Sequence, residues 1–203
     1  MTYKSLGCLV AAVALATAPL TAQSRFGIVG GLASSNITIS GGGVSASFSS
    51  RTGFAGGLSM THPISKDLEF APELLYIQKG SKLTEGSSSF AVKLGYVELP
   101  LLFRAKFGSS ATRPFVLAGP AIGVKASCKF KGSDGSTSVS ADCGTDFKVK
   151  SADFGAMFGA GIAANRYSVS VRYDLGLSNI ADGSDAGSSA KNRTFLFLVG
   201  VSL

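Results

Sequence analysis

Along residues 167–179, YSVSVRYDLGLSN, the odd positions carry Tyr167, Val169, Val171, Tyr173, Leu175 and Leu177. The even positions carry Ser168, Ser170, Arg172, Asp174 and Gly176. A two-residue period of this kind predicts a β-strand with one apolar and one polar face. The same period recurs along the chain. Over 90–107, Val97, Leu99, Leu101, Phe103, Ala105 and Phe107 share one row, and Glu98, Arg104 and Lys106 lie in the other. Over 67–79, Leu68, Phe70, Leu74 and Tyr76 oppose Glu69, Glu73 and Lys79. Over 192–203, Phe195, Phe197, Val199, Val201 and Leu203 form a row, with Leu196 and Leu198 blurring the contrast. No helical period persists after residue 24. Eight strands are predicted, at 24–35, 53–64, 67–79, 90–107, 113–126, 151–164, 166–179 and 192–203.

The connections alternate in length. Residues 36–52, 80–89, 127–150 and 180–191 are long and rich in Gly, Ser and Asp, whereas 65–66, 108–112 and 165 are short. This rhythm predicts an all-β, eight-stranded antiparallel up-and-down transmembrane β-barrel, with four long loops at one rim and short turns at the other. An even strand number places both chain ends at the short-turn rim. Several of the segments exceed the ~9–11 residues that a tilted strand needs to cross a bilayer. An unpaired strand edge in lipid costs several kcal/mol per backbone group, so the first and last strands are expected to pair and close the sheet.

Which row faces lipid follows from energetics. An Arg at the bilayer midplane of a barrel costs about 2–4 kcal/mol, so the row of Arg172 and Asp174 points inward and the valine row faces hydrocarbon. An eight-stranded barrel has room inside for side chains or one small ligand, but not for a water-filled pore. Glu73, Glu98, Arg104, Asp153, Arg172 and Asp174 are expected to pair there as a packed ionic plug, because buried charges need partners. A proton or ion path through the same groups is the competing reading, and it conflicts with the narrow bore. A soluble lipocalin-like barrel would invert the rows. Alternation alone serves both arrangements; the uneven loops and the leader described below favour insertion.

Composition sharpens this. Of 203 residues 45% are hydrophobic and only 15% are charged. Average globular chains carry about 25% charged residues, so the deficit points to a solvent other than water alone. The start, MTYKSLGCLVAAVALATAPLTAQS, places Lys4 before an apolar run too short to span a bilayer. It reads as a signal peptide of residues 1–22, cleaved after Ala22, followed by a barrel domain of 23–203. Cys8 as a lipidation site is the weaker reading, since few apolar residues precede it. The formal charge of +7 falls by one unit with the leader. The cations are scattered, which speaks against nucleic acid and for a basic surface beside anionic lipid or lipopolysaccharide.

After cleavage Cys128 and Cys143 remain, bracketing CKFKGSDGSTSVSADC. In an oxidising compartment two cysteines around one polar loop are expected to form a disulfide. A metal site would need more ligands, and His62 is the only histidine. No cofactor or metal is expected. KGSDG and IADGSDAG offer carboxylates for Ca²⁺, but such stretches are commonly turns. There is no P-loop and no GxSxG, and His62 is expected near the short-turn rim with no serine nucleophile beside it, so an enzyme is not expected. With no tryptophan, the interfacial girdle falls to Tyr76, Tyr96, Tyr167, Tyr173 and phenylalanines, which are also side chains that could contact a sugar or a lipid headgroup.

The motifs PELLYIQKGSKL, GYVELPLLFRAKF, VLAGPAIGV, DFGAMFGAGI, RYDLGLSNI and KNRTFLFLVG occur in that order. Together they resemble the outer-membrane β-barrel family that includes PorT-like proteins of Bacteroidetes, over about residues 25–203. The resemblance implies an eight-stranded outer-membrane barrel inserted by the barrel assembly machinery. It also implies, through the eponymous member, an accessory role in envelope secretion as an alternative. The chain departs from outer-membrane barrels in its last residue, Leu203, where an aromatic is usual. The leading expectation is a structural or adhesin-like barrel, not an open pore, whose long loops meet envelope or extracellular proteins.

Overall fold

The computed structural model describes residues 24–41, 44–47, 49–86, 88–134, 136–143, 150–180 and 189–203. The leader segment, its cleavage point and Cys8 lie outside these residues. The described strands are β1 (Arg25–Gly41), β2 (Val44–Ser47), β3 (Ser49–Pro63), β4 (Leu68–Glu85), β5 (Ser88–Lys106), β6 (Thr112–Ser133), β7 (Ser138–Asp142), β8 (Ala152–Ala164), β9 (Tyr167–Gly176) and β10 (Ser189–Ser202). Eight of them form an antiparallel ring in the order β1, β3, β4, β5, β6, β8, β9, β10, which closes through β10 and β1. The closing pair runs without interruption from Gly27 opposite Ser202 to Ser40 opposite Ser189. Closure leaves the ring no open edge to face lipid. β2 and β7 lie outside the ring, where they lengthen β1 and β6 as hairpin arms.

The short rim is built from compact turns. Ile64 and Ser65 both donate to the Leu68 carbonyl, at 2.9 and 3.0 Å. Asn165 takes a left-handed φ of 52° in the two-residue step from β8 to β9, a conformation asparagine tolerates better than most residues. Gly108 sits at φ 77° between β5 and β6.

At the opposite rim several strands outrun the sequence reading. The predicted loop 80–89 is mostly strand: β4 continues to Glu85, and Glu85 lies opposite Ser88 in β5. β6 continues to Ser133. In these segments the apolar alternation is confined to a few positions, such as Leu83 and Phe130, among Gly, Ser and Lys, and neighbouring strands supply the hydrogen bonds. At 18, 19 and 22 residues, β4, β5 and β6 are about twice the length needed to cross the hydrocarbon, so their far halves stand beyond it.

The outward row is apolar around the ring. Val169 is 58% exposed and Val171 46%, whereas Arg172 is 3% and Asp174 1% exposed. Phe26, Leu58, Leu99, Phe158 and Phe197 continue the outer belt. This is the lipid-facing arrangement, and it is the reverse of a lipocalin-like barrel. Inside, Val29, Leu75, Ile77, Leu102, Phe115, Met157, Leu196 and Leu198 form an apolar core. The interior is therefore mixed. Leu196 and Leu198, which blur the alternation of the last strand, are core residues. A bulge shifts the register between Gly95 and Tyr96, where Ser127 and then Lys125 lie opposite. The extra residue, Ala126, moves the inward row of β6 from odd positions such as Ala121 to even ones such as Cys128.

Candidate functional site

Along β4 the inward row runs Glu69, Ala71, Glu73, Leu75, Ile77, Lys79. At ~3.3 Å per residue its three charges are spaced about 13 and 20 Å apart, so each meets a different part of the ring. Glu73 takes Arg172 of β9. Nη1 donates to Oε2 at 2.6 Å and Nη2 to Oε1 at 3.1 Å, while Nε donates to Ser170 Oγ at 3.1 Å. In the ring order β4 and β9 stand four places apart out of eight, so this bidentate pair crosses the full bore. Gly159 makes room for it: a Cβ there would lie 2.9 Å from Arg172 Cγ and 2.4 Å from the Val171 carbonyl.

Lys79 is the second node. Its Nζ donates to Asp174 Oδ2 at 2.5 Å, pairs with Glu98 Oε1, and lies 3.7 Å from Asp153 Oδ2. It also sits 5.3 Å from the Tyr96 ring centroid. Asp153 is held further by Ser178 Oγ at 2.7 Å and Asn192 Nδ2 at 2.8 Å. One buried ammonium thus joins carboxylates from β5, β8 and β9. The third node is Glu69 at the short-turn rim. Arg25 donates to Oε1 at 3.2 Å, Lys106 also bonds Oε1, and Arg104 Nη1 stands 3.7 Å from Oε2.

The six residues singled out from the sequence all point inward, but they do not meet as one cluster. Glu73 and Arg172 form one node. Glu98, Asp153 and Asp174 join a second. Arg104 belongs to the third and also lies 4.8 Å from the Phe115 ring. The expected plug left out Lys79 and Glu69, which organise the outer nodes, although the alternation places both in the row of Glu73. Tyr96 needs correction: it is fully buried rather than part of the girdle. It shares the even parity of Glu98, which sends both side chains inward. Tyr76 and Tyr173 do face outward, against Phe54 and against Phe158 and Phe195.

At the long rim Cys128 and Cys143 form a disulfide with Cα atoms 5.4 Å apart. Cys128 also packs on the buried cluster of Leu94, Tyr96 and Ile180, which caps the second node. KGSDG is a turn. Asp134 Oδ1 accepts the backbone N–H of Ser136 at 3.1 Å and of Thr137 at 2.7 Å, and these bonds hold its carboxyl below the usual range. Residues 181–187 of IADGSDAG lie outside the described residues. Among the described residues no group of three His, Cys, Asp or Glu is placed to hold a metal. His62 lies near the short rim and does have a serine beside it: Ser24 Oγ is 2.9 Å from Nδ1. Nothing in the alternating pattern indicated that contact.

Beyond the hydrocarbon, the extended sheet carries an apolar line. Leu83 is opposite Phe90, Phe90 opposite Gly132, and Gly132 opposite Val139, so all four share one face across β4, β5, β6 and β7. Leu83, Phe90 and Val139 are exposed. Phe130 stacks on Phe90 at 5.6 Å between ring centroids. Lys82, Lys129 and Lys131 alternate with these residues, so they point from the opposite face of the same sheet, where they are exposed.

A closed ring, an apolar outer belt and cross-bore ion pairs are the features of a membrane-spanning barrel. The model of the outer membrane protein beta-barrel domain family matches residues 19–182. The chain belongs to that family. It is a small outer-membrane β-barrel, and its filled bore is not an open pore. Similar solved structures include Ail, the attachment invasion locus protein of Yersinia pestis, with TM-score 0.46 and 15% identity over 89% of this chain and 99% of that one. Neisserial surface protein A gives TM-score 0.43 and 14% identity, over 88% and 97%. The outer membrane enzyme PagL gives TM-score 0.45 and 15% identity, over 83% and 98%. No curated protein matches the chain.

Proposed function

We propose that this barrel is a non-enzymatic, rigid mount that presents its long rim to extracellular or envelope proteins, in an adhesin-like role. The observation that carries this reading is the line of Leu83, Phe90 and Val139, exposed on one face of a sheet that stands clear of the membrane and bears lysines on its other face. Contiguous exposed apolar surface marks interaction sites. The three ionic nodes, in this reading, hold the mature domain of 23–203 shut and stiff, so that the rim keeps its shape. Ser24 and His62 do not change the assignment. Among the described residues no carboxylate is hydrogen-bonded to His62 to orient it, and the pair sits at the opposite end from the exposed line.

Cells that display the wild-type chain, the double variant Phe90→Ser/Val139→Ser, or no barrel are compared for attachment to protein-coated surfaces. Attachment that falls to the deletion level in the double variant, with the barrel still inserted, supports the role. Undiminished attachment overturns it. The alternative is a PorT-like accessory role in secretion, for which the ordered motifs from PELLYIQKGSKL to KNRTFLFLVG are the support. Loss of secreted protein on deletion, with attachment intact, would select that reading instead.

A further inference from the structure

The short-turn rim encloses a polar cavity of about 160 Å³. Its wall carries Arg25, Arg104, Lys106, Arg113 and Arg166 against a single carboxylate, Glu69. Arg113 is partly satisfied by Asp67 outside the cavity, at 2.5 Å, and by the Lys66 and Lys106 carbonyls at 3.3 Å. Even with Asp67 included, the cup holds five cations and two carboxylates. Two donors and one acceptor there are buried without a hydrogen bond: Nε of Arg104, Nε of Arg113 and Oε2 of Glu69. Buried polar atoms are nearly always bonded, so unpaired guanidinium N–H groups in a cationic cup call for an acceptor. The Arg166 side chain has only the Tyr167 ring, 5.9 Å away, as a described contact.

We infer that this cup is a binding site for one compact oxyanion, a phosphate or a phosphate-bearing headgroup. Planar guanidinium forks match phosphate oxygens in paired hydrogen bonds, and several arginines around one small space favour that geometry over a point-charge contact. The size fits as well. An apolar cavity of about 150 Å³ holds a benzene, so this one admits a phosphate with a short ester substituent. Glu69 Oε2 is left to accept a hydroxyl from that substituent. Residues lining the cup come from every strand of the ring, so the site exists only in the closed barrel. That the cup opens to the periplasm rests on the outer-membrane reading above; the site itself does not.

The test uses the full chain folded in a phosphate-free maltoside detergent, where both rims meet solvent. Inorganic phosphate and glycerol 3-phosphate are titrated by calorimetry, and folding of every variant is confirmed by faster migration of unboiled samples. Saturable binding that weakens with added NaCl is expected. Arg104→Gln, which removes a charged donor, should weaken binding about tenfold or more. Arg166→Gln, at an exposed turn where folding is not at risk, should weaken it a few-fold. Tighter binding of glycerol 3-phosphate identifies a lipid headgroup as the source, and equal or tighter binding of phosphate identifies a free ion. No saturation at millimolar anion, or equal binding by both folded variants, overturns the site. Labelling of Asn165→Cys in intact against permeabilised cells tests the rim assignment separately.

Discussion

Glu69 and Glu73 lie four residues apart on one strand, yet their surroundings differ in kind. Glu73 has one partner across the bore, Arg172, and both carboxylate oxygens are bonded to it. Charge sums to zero, and no ligand is needed to complete the contact. Glu69 faces Arg25, Lys106 and Arg104, but its Oε2 has no hydrogen bond and neighbouring guanidinium groups are also incomplete. Glu73 and Arg172, sealed in mid-bore, satisfy one another, because water cannot reach them. At the rim, water and solutes reach the cup, and an excess of one sign is tolerated. The difference separates a pair that ties the wall from a cluster that has capacity to bind.

That contrast predicts where the barrel is most fragile. Lys79→Met leaves Glu98, Asp153 and Asp174 buried with no cation between them. Losing one partner of a buried pair costs about 3–5 kcal/mol, and here one residue serves three carboxylates, so the loss should be at or above about 5 kcal/mol. Urea titration of vesicle-inserted protein, read by gel mobility, should find the variant largely unfolded in buffer that keeps the wild type folded. Arg172→Ala should fall within the same 3–5 kcal/mol range by stranding Glu73. The pair replacement Glu73→Leu/Arg172→Met should recover most of that loss, because a buried ion pair is often no better than an apolar pair of similar volume. A double variant as weak as Arg172→Ala would show that the crossing contact does more than neutralise its own members.

Next comes the outer belt. Val169→Arg places a cation in lipid and should cost about 2–4 kcal/mol. The same substitution at the exposed Val139, beyond the hydrocarbon, should have little effect in the same titration. Equal losses at the two positions would mean that the belt does not face lipid.

How much of this was legible in the sequence depends on what constrains each row. Lipid demands apolar side chains outward, so the Val169 and Val171 face could be read from parity alone. The pairing of inward charges could not. Glu73 meets Arg172 across 99 residues and Lys79 meets Asp174 across 95, and these partnerships follow from ring position rather than spacing. Lys79 could be placed in the polar row by its parity with Glu73, but its three carboxylate partners could not. Tyr96 was legible: its parity with Glu98 sends it inward, against the interfacial preference of tyrosine. The sheet beyond the membrane was not legible, because its few apolar positions, such as Leu83 and Phe130, are too sparse among Ser, Gly and Lys to set a period.

The smallest expected effect on stability is the one that most sharpens the comparison between the two glutamates. Arg25 is about half exposed and pairs with Glu69 at 3.2 Å, so its ion pair is screened by water. Exposed pairs contribute about 0.2–1 kcal/mol, and Arg25→Gln should therefore leave the urea midpoint nearly unchanged. The same variant removes one positive charge from the cup, so phosphate affinity should still drop and depend less steeply on NaCl. Stability held with binding weakened would place the work of the rim in recognition. A loss of stability as large as that of Arg172→Ala, with phosphate affinity untouched, would make Glu69 a structural tie like Glu73 and erase the distinction between the two.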